Sequence, residues 1–142
     1  MKQRVAVAGA GVFGRHHMRV LKSLETAELT GVYDIDPARA AEAAAEHGVT
    51  AFASLDELAA SANAAIVAVP TTAHAEVGCR LLNAGLDVLI EKPIANELAQ
   101  SEKVLKLIRS AGNDALIGYT QRFRRRWMVA KDKVARGGIG NV

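Results

Sequence analysis

The first 34 residues hold the pattern that most constrains how this chain can fold. A short apolar run over residues 4–8 is followed at once by the glycine-rich stretch Gly9-Ala10-Gly11-Val12-Phe13-Gly14. A second apolar run, residues 29–33, ends in Asp34. Strand, glycine turn, helix, strand and acid in this order are typical of a unit that binds a dinucleotide. A cleaved signal peptide is disfavoured, because three glycines and an amphipathic helix pattern interrupt the apolar stretch.

Each glycine in this stretch has a physical role. Gly9 allows a sharp turn out of the strand, Gly11 lets a pyrophosphate approach the backbone, and Gly14 lets the helix pack closely. The free N–H groups at the helix start and the positive end of its dipole attract phosphates. The residues predicted to hold the pyrophosphate are therefore Gly9, Gly11, Val12, Phe13 and Gly14.

Asp34 predicts the choice of cofactor. Its carboxylate can accept hydrogen bonds from the hydroxyls of the adenosine ribose, and it would repel a 2′-phosphate. Only Arg39 lies nearby in the sequence to compensate for that repulsion. The sequence therefore predicts NAD as the cofactor and disfavours NADP.

Strand and helix patterns alternate to the end of the chain. Helices are predicted from about Val12 to Ser23, from Pro37 to before Gly48, from Leu55, from about Thr72 to before Gly85, from about Asn96 to Ala111, and around Trp127, Ala130 and Val134. The strands between them are predicted at 49–53, 64–69, 87–90 and 115–119, in addition to the first two. About six strands with crossover helices predict an α/β fold, a doubly wound parallel sheet with helices on both faces.

Composition limits the remaining possibilities. The chain has 142 residues, one domain's worth, and half of them are hydrophobic. Its single cysteine, Cys79, cannot form an internal disulfide, which fits a cytoplasmic protein. No stretch is apolar enough for a membrane span. His16 and His17 are adjacent, so they point in different directions on a helix and predict no metal site. His17 is expected to be a packed or an exposed helix residue without a site role.

The basic charge of the chain is concentrated at one end. Residues 1–121 carry 11 Lys/Arg and 14 Asp/Glu, a net charge of −3, whereas residues 122–142 carry seven basic side chains and one acid, a net charge of +6. We therefore predict a dinucleotide-binding domain over 1–121 and a basic helix and linker over 122–142. Nucleic-acid binding through this tail is an alternative, disfavoured because the acidic body offers few aromatic side chains for stacking.

Further candidate residues follow the predicted strands, where ligands bind in such sheets. In order they include Val69-Pro70 with His74, Glu91-Lys92-Pro93, and Gly118-Tyr119 with Arg122-Phe123. Together with the glycine fingerprint, these elements resemble the glucose–fructose oxidoreductase / inositol dehydrogenase (Gfo/Idh/MocA) family over the whole chain. Its members are NAD(P)-dependent oxidoreductases that act on sugars, inositols, nucleotide sugars and related polyols. They join a Rossmann domain to a second α/β domain.

The resemblance also implies roles for individual residues. Pro70, Thr71 and His74 would line the nicotinamide side of the cofactor site. Glu91 and Lys92 would contact the nicotinamide ribose, and Arg122 would lie near the nicotinamide end. Lys92 would also reach the substrate hydroxyl, where alcohol oxidation requires a group that takes or relays a proton; Lys92 is thus the predicted catalytic residue.

The family's second catalytic cluster, an aspartate and a histidine, belongs to the second domain, which this chain lacks. Residues 137–142 resemble the run that leads into that domain, although Arg124-Arg125-Arg126 stands where the family often has a proline. We therefore expect a fragment that binds NAD without turnover, from a homo-oligomeric parent whose polyol or nucleotide-sugar substrate the sequence does not specify. A stand-alone nucleotide-binding sensor is the alternative, although a sensor has no need of Lys92.

Overall fold

The computed structural model describes residues 2–140 and contains one parallel sheet. Its six strands lie in the order β3-β2-β1-β4-β5-β6. They are β1 (Gln3–Ala8), β2 (Ala27–Tyr33), β3 (Thr50–Ala51), β4 (Ala64–Val67), β5 (Asp87–Ile90) and β6 (Ala115–Ile117). The order reverses between β1 and β4, and in open sheets of this type the crevice at the reversal is where ligands bind.

Helices cover both faces of the sheet. They are α1 (Val12–Ser23), α2 (Pro37–His47), α3 (Leu55–Ser61), α4 (Thr71–Asn83), α5 (Leu98–Ala111) and α6 (Arg125–Ala135), with a 3-10 helix at Thr120–Phe123. Because side chains alternate along a strand, Val5 and Val7 of β1 join a core with α1 and α2, whereas Ala6 and Ala8 join a second core with α3 and α4. The predicted doubly wound Rossmann fold is confirmed.

Local signals in the sequence mark several helix ends correctly. The Asp36 carboxylate accepts the Ala38 N–H at 3.0 Å, and Gly48 ends α2 in the left-handed conformation. Ser54 Oγ accepts the Glu57 N–H at 3.1 Å at the start of α3. The Glu57 carboxylate reaches back to the N–H of Ala53 at 2.9 Å, one residue earlier than a standard capping box.

The strands are shorter than their apolar runs predict. β3 is limited to two residues on the sheet edge, and β4 and β6 each end two residues early. β4 stops where its neighbour stops, since Val67 pairs with Ala8, the last residue of β1. The residues beyond each strand end therefore belong to loops at the carboxyl edge of the sheet.

The C-terminal part of the described chain lies outside both cores. Residues 119–140 are all exposed, and α6 makes its contacts with the 3-10 helix. The helix predicted around Trp127 is thus present, and Trp127 and Val134 are exposed. The boundary between residues 121 and 122 stays a prediction, and the final two residues of the predicted linker, Asn141 and Val142, lie outside the described residues.

The structure also describes the surroundings of the single cysteine and the length and apolar character of the helices. Cys79 is a buried residue of α4, and its burial raises the pKa of the thiol, partly offset by the positive charge of Lys103. Within residues 2–140, none of the helices combines the length and the apolar character needed to cross a membrane.

Candidate functional site

The turn between β1 and α1 is built on close contacts that only glycine permits. Gly9 has a φ of +106°, and a Cβ there would lie 2.5 Å from the carbonyl oxygen of Ala68. A Cβ on Gly14 would lie 1.8 Å from the carbonyl oxygen of Gly9. The first turn of α1 therefore lies directly on the loop that leaves β1. The sequence predicts that Gly14 allows close packing of the helix, and this loop, rather than the sheet, is its closest neighbour.

Gly11, in contrast, faces open space. A Cβ on Gly11 would meet no other atom of the described chain within 4 Å. Gly11 precedes α1 without a side-chain cap, and Val12 and Phe13 are 85% and 60% exposed. The first N–H groups of a helix have no partners within it, so this end offers uncapped donors and the positive end of the dipole to an anion. This cradle fits the pyrophosphate of a dinucleotide.

Asp34 is fixed beside this cradle at the end of β2. Its side chain is only 9% exposed. Oδ2 accepts the Ala10 N–H at 2.8 Å, and Oδ1 accepts the Asp36 N–H at 2.9 Å. The Arg39 guanidinium lies 3.6 Å from Asp34 and also binds the Asp36 carboxylate at 3.1 Å. The neighbouring Ile35 is exposed, an apolar surface next to the carboxylate that the sequence analysis did not single out.

Lys92 lies at the other end of the site, at the junction of two clefts. The first, of about 160 Å³, is lined by Phe13, Ala68, Val69, Pro70, Thr71, His74, Glu91 and Lys92. The second, of about 390 Å³, is lined by Lys92, Tyr119, Thr120, Gln121 and Arg122. Lys92 Nζ lies 6.0 Å from the centre of the Phe13 ring. The structure thus brings together the residues predicted for the nicotinamide side, while their contacts with a cofactor stay predictions.

His74 and Glu91 line the first cleft, but each is almost fully buried. The two ring nitrogens of His74 lie 2.7 Å from the Pro93 carbonyl oxygen and 2.9 Å from that of Val69. Glu91 Oε1 lies 2.8 Å from His17 Nε2, and Glu91 Oε2 accepts the Lys92 N–H at 3.2 Å. The Lys92–Pro93 peptide bond is cis. The polar atoms of both side chains are therefore engaged within the protein.

His17 is the site residue that sequence reasoning missed. The sequence predicts a packed or exposed helix residue there, and the ring is indeed mostly buried, but its contact with Glu91, 74 positions away in the sequence, was not predicted. A signal was available, because position 17 lies on the same helical stripe as Gly14 and Leu21, which are both buried. Arg15, the other polar residue near the turn, is paired with Glu42 and Glu46 of α2.

Comparisons with known proteins agree with this geometry. The sequence is 34% identical over 139 residues to 4-carboxy-2-hydroxymuconate-6-semialdehyde dehydrogenase of Sphingobium sp., covering 96% of this chain and 44% of that protein. It is 34% identical to inositol 2-dehydrogenase of Leifsonia xyli, covering 98% and 42%. The chain therefore spans less than half the length of these relatives.

A solved structure gives the same result for the fold. Scyllo-inositol dehydrogenase of Lactobacillus casei, with bound NAD(H) and scyllo-inositol, superposes with a TM-score of 0.91 at 26% identity, covering 99% of this chain and 43% of that one. Residues 3–119 match the Gfo/Idh/MocA family, described as an oxidoreductase family with an NAD-binding Rossmann fold. With its glycine cradle, Asp34 and Lys92 along one edge of a doubly wound sheet, this chain belongs to that family.

Proposed function

We propose that this chain is the cofactor-binding half of an NAD-dependent dehydrogenase. The observation that supports the proposal is that Asp34 and Lys92 lie on opposite sides of the uncapped N-terminus of α1. Asp34 follows β2 on one side of β1, and Lys92 follows β5 on the other side. The pyrophosphate would bind the glycine cradle, the adenosine ribose would bind Asp34, and Ile35 would pack against the adenine. The nicotinamide would then lie between Phe13 and Lys92.

In this arrangement, Lys92 would transfer the proton of the substrate hydroxyl. NAD, when bound, supplies the acceptor for the hydride that leaves the substrate carbon. The ammonium of Lys92 is exposed at the junction of the two clefts, with Arg122 lining one of them. From there, the amine form of Lys92 would take or relay the hydroxyl proton, and Arg122 would orient polar groups near the nicotinamide end.

The substrate class is proposed from the relatives. Two relatives, each 34% identical to this chain, are an inositol 2-dehydrogenase and a UDP-N-acetylglucosamine 3-dehydrogenase from Acidithiobacillus ferrooxidans, so a polyol or nucleotide sugar is the favoured class. A semialdehyde dehydrogenase is as similar as these. Sequence similarity in this domain therefore does not discriminate among substrates, and the rest of the substrate pocket would come from a second domain.

We expect the chain to bind NAD at least about tenfold more tightly than NADP, a difference of about 1.4 kcal/mol. The Asp34 carboxylate would repel a 2′-phosphate. Asp34→Ser should narrow or reverse this preference, because it removes the repulsion and one of the two carboxylates that pair with Arg39, whose guanidinium could then contact the phosphate while still bound to Asp36. Calorimetry with both cofactors is the measurement.

Asp56→Ser is the matched control, since Asp56 is an exposed carboxylate paired with Arg80 on a different part of the surface. Tighter binding of NADP by the wild type would contradict this prediction.

We also expect the 142-residue chain alone to produce no NADH with inositols, sugars or nucleotide sugars. The reason is that the second proton-transfer cluster, which the family resemblance implies, would belong to a second domain outside these 142 residues. The test combines NAD binding with an absorbance assay at saturating cofactor. Binding without turnover is the expected result, whereas sustained NADH formation would show that this domain is sufficient for catalysis.

A further inference from the structure

We infer that His17 is a positioning residue for Lys92, acting through the carboxylate of Glu91. The inference rests on the proposed function, since it concerns the lysine that would serve the nicotinamide end. α1 would then have a second role besides holding the pyrophosphate. The second turn of the same helix would fix the loop that carries Lys92.

The contact between His17 and Glu91 is short and shielded from solvent. His17 Nε2 lies 2.8 Å from Glu91 Oε1, and both side chains are mostly buried. With its proton on Nε2, the imidazole donates to the carboxylate. Hydrogen bonds to a charged group are stronger than those between neutral groups, and a buried carboxylate that loses its donor is destabilised. The Glu91 carboxylate is therefore held against α1 by this contact.

Glu91 transmits this restraint to Lys92. Its second oxygen, Oε2, accepts the main-chain N–H of Lys92 at 3.2 Å. Gly118 closes the other side, since a Cβ there would lie only 3.1 Å from Oε2. The carboxylate is thus held between α1, β6 and the start of the Lys92 loop. Because the Lys92 side chain is exposed, its direction depends on this main chain rather than on packing around the side chain.

The far side of the same loop is held by another histidine. His74 of α4 contacts the carbonyl oxygen of Pro93 at 2.7 Å and that of Val69 at 2.9 Å. It is 2% exposed, and its ring ties the Lys92 loop to the end of β4. The loop is therefore anchored on both sides of Lys92. His17 is less deeply buried than His74, so it is the better residue to replace.

The test compares three variants of the chain. His17→Leu removes the donor, and His17→Gln restores an N–H donor near the position of Nε2. His16→Leu is the matched control, because His16 is the exposed neighbour on the same helix and contacts Arg19. Each variant is titrated calorimetrically with NAD and with ADP, and its thermal unfolding is followed. ADP lacks the nicotinamide and its ribose, so it reports on the cradle and Asp34 alone.

His17→Leu should weaken NAD binding about tenfold, which is the loss of about 1.4 kcal/mol, and should change ADP binding less than about twofold. This loss is larger than the one expected for removing the Lys92 side chain alone, because the Glu91 carboxylate and the main chain of the Lys92 loop would be displaced together. His17→Gln should recover most of the NAD affinity, and His16→Leu should change neither ligand. Equal losses for NAD and ADP would overturn the inference, because they would mean that His17 only stabilises α1. Unchanged NAD binding in His17→Leu, or no recovery in His17→Gln, would also overturn it. A wild-type chain that binds ADP but gains nothing from the nicotinamide half would instead contradict the proposed placement of the cofactor.

Discussion

Lys92→Ala is expected to lower the turnover of a full-length dehydrogenase that contains this chain by roughly 10²–10⁴-fold, the usual loss when one positioned proton-transfer group is removed. NAD affinity should fall only modestly. The cradle at the start of α1 and the Asp34 carboxylate lie at the other end of the site and remain intact. Steady-state rates and NAD affinity, measured on the same preparations, give the two numbers that the prediction compares.

Lys106→Ala is the control for this experiment. Lys106 is an exposed residue of α5, outside the clefts that contain Lys92. Its replacement should alter neither rate nor affinity. If Lys92→Ala leaves the rate nearly unchanged, or if rate and affinity fall in proportion, Lys92 binds the cofactor or supports the loop, and the catalytic assignment is wrong.

Gly14→Ala is expected to have the largest effect on the domain itself. The added Cβ would lie 1.8 Å from the Gly9 carbonyl oxygen, a backbone atom that cannot rotate away. Overpacking typically costs 1–3 kcal/mol, and this contact is at the severe end. The melting temperature should therefore fall by about 10 °C or more, with loss of NAD binding.

Gly11→Ala is the matched comparison for Gly14→Ala. A Cβ there meets no protein atom within 4 Å, so the melting temperature should change by less than about 2 °C. The same methyl group would point into the space proposed for the pyrophosphate, and NAD affinity should fall about tenfold or more. Equal melting temperatures for the two variants would contradict the packing role of Gly14. Unchanged NAD binding in Gly11→Ala would contradict the placement of the phosphates.

The fold could be predicted because its signals are local. Asp36 and Gly48 mark the ends of α2 through contacts made within a few residues, and the helix predicted from Pro37 to before Gly48 agrees with them. Strand ends were less accurate, because they depend on the partner strand. β4 stops at Val67 where β1 stops, and no feature of the apolar run over 64–69 contains that information.

The site was predicted where it follows from strand ends and missed where it depends on long-range contacts. Lys92 and Arg122 were candidates because they follow predicted strands, and the family resemblance placed both at the nicotinamide end; they line one cleft. The His17–Glu91 contact joins residues 74 positions apart, so it becomes visible only when α1 and β5 are packed together. The pairing of Arg39 with both Asp34 and Asp36 is a similar case, because it depends on how α2 leaves β2.

Binding of NAD at the carboxyl edge of the sheet can be tested by titrating the isotope-labelled 142-residue chain with NAD and following its amide NMR signals. The account predicts saturable shifts that are largest at Gly11, Val12 and Phe13, with further shifts beside Asp34 and at Lys92. The opposite end of the sheet, where Arg4, Thr50 and Phe52 line another cleft, should stay unchanged. No saturable shifts, or shifts concentrated at that opposite end, would contradict the proposal that this edge of the sheet binds NAD.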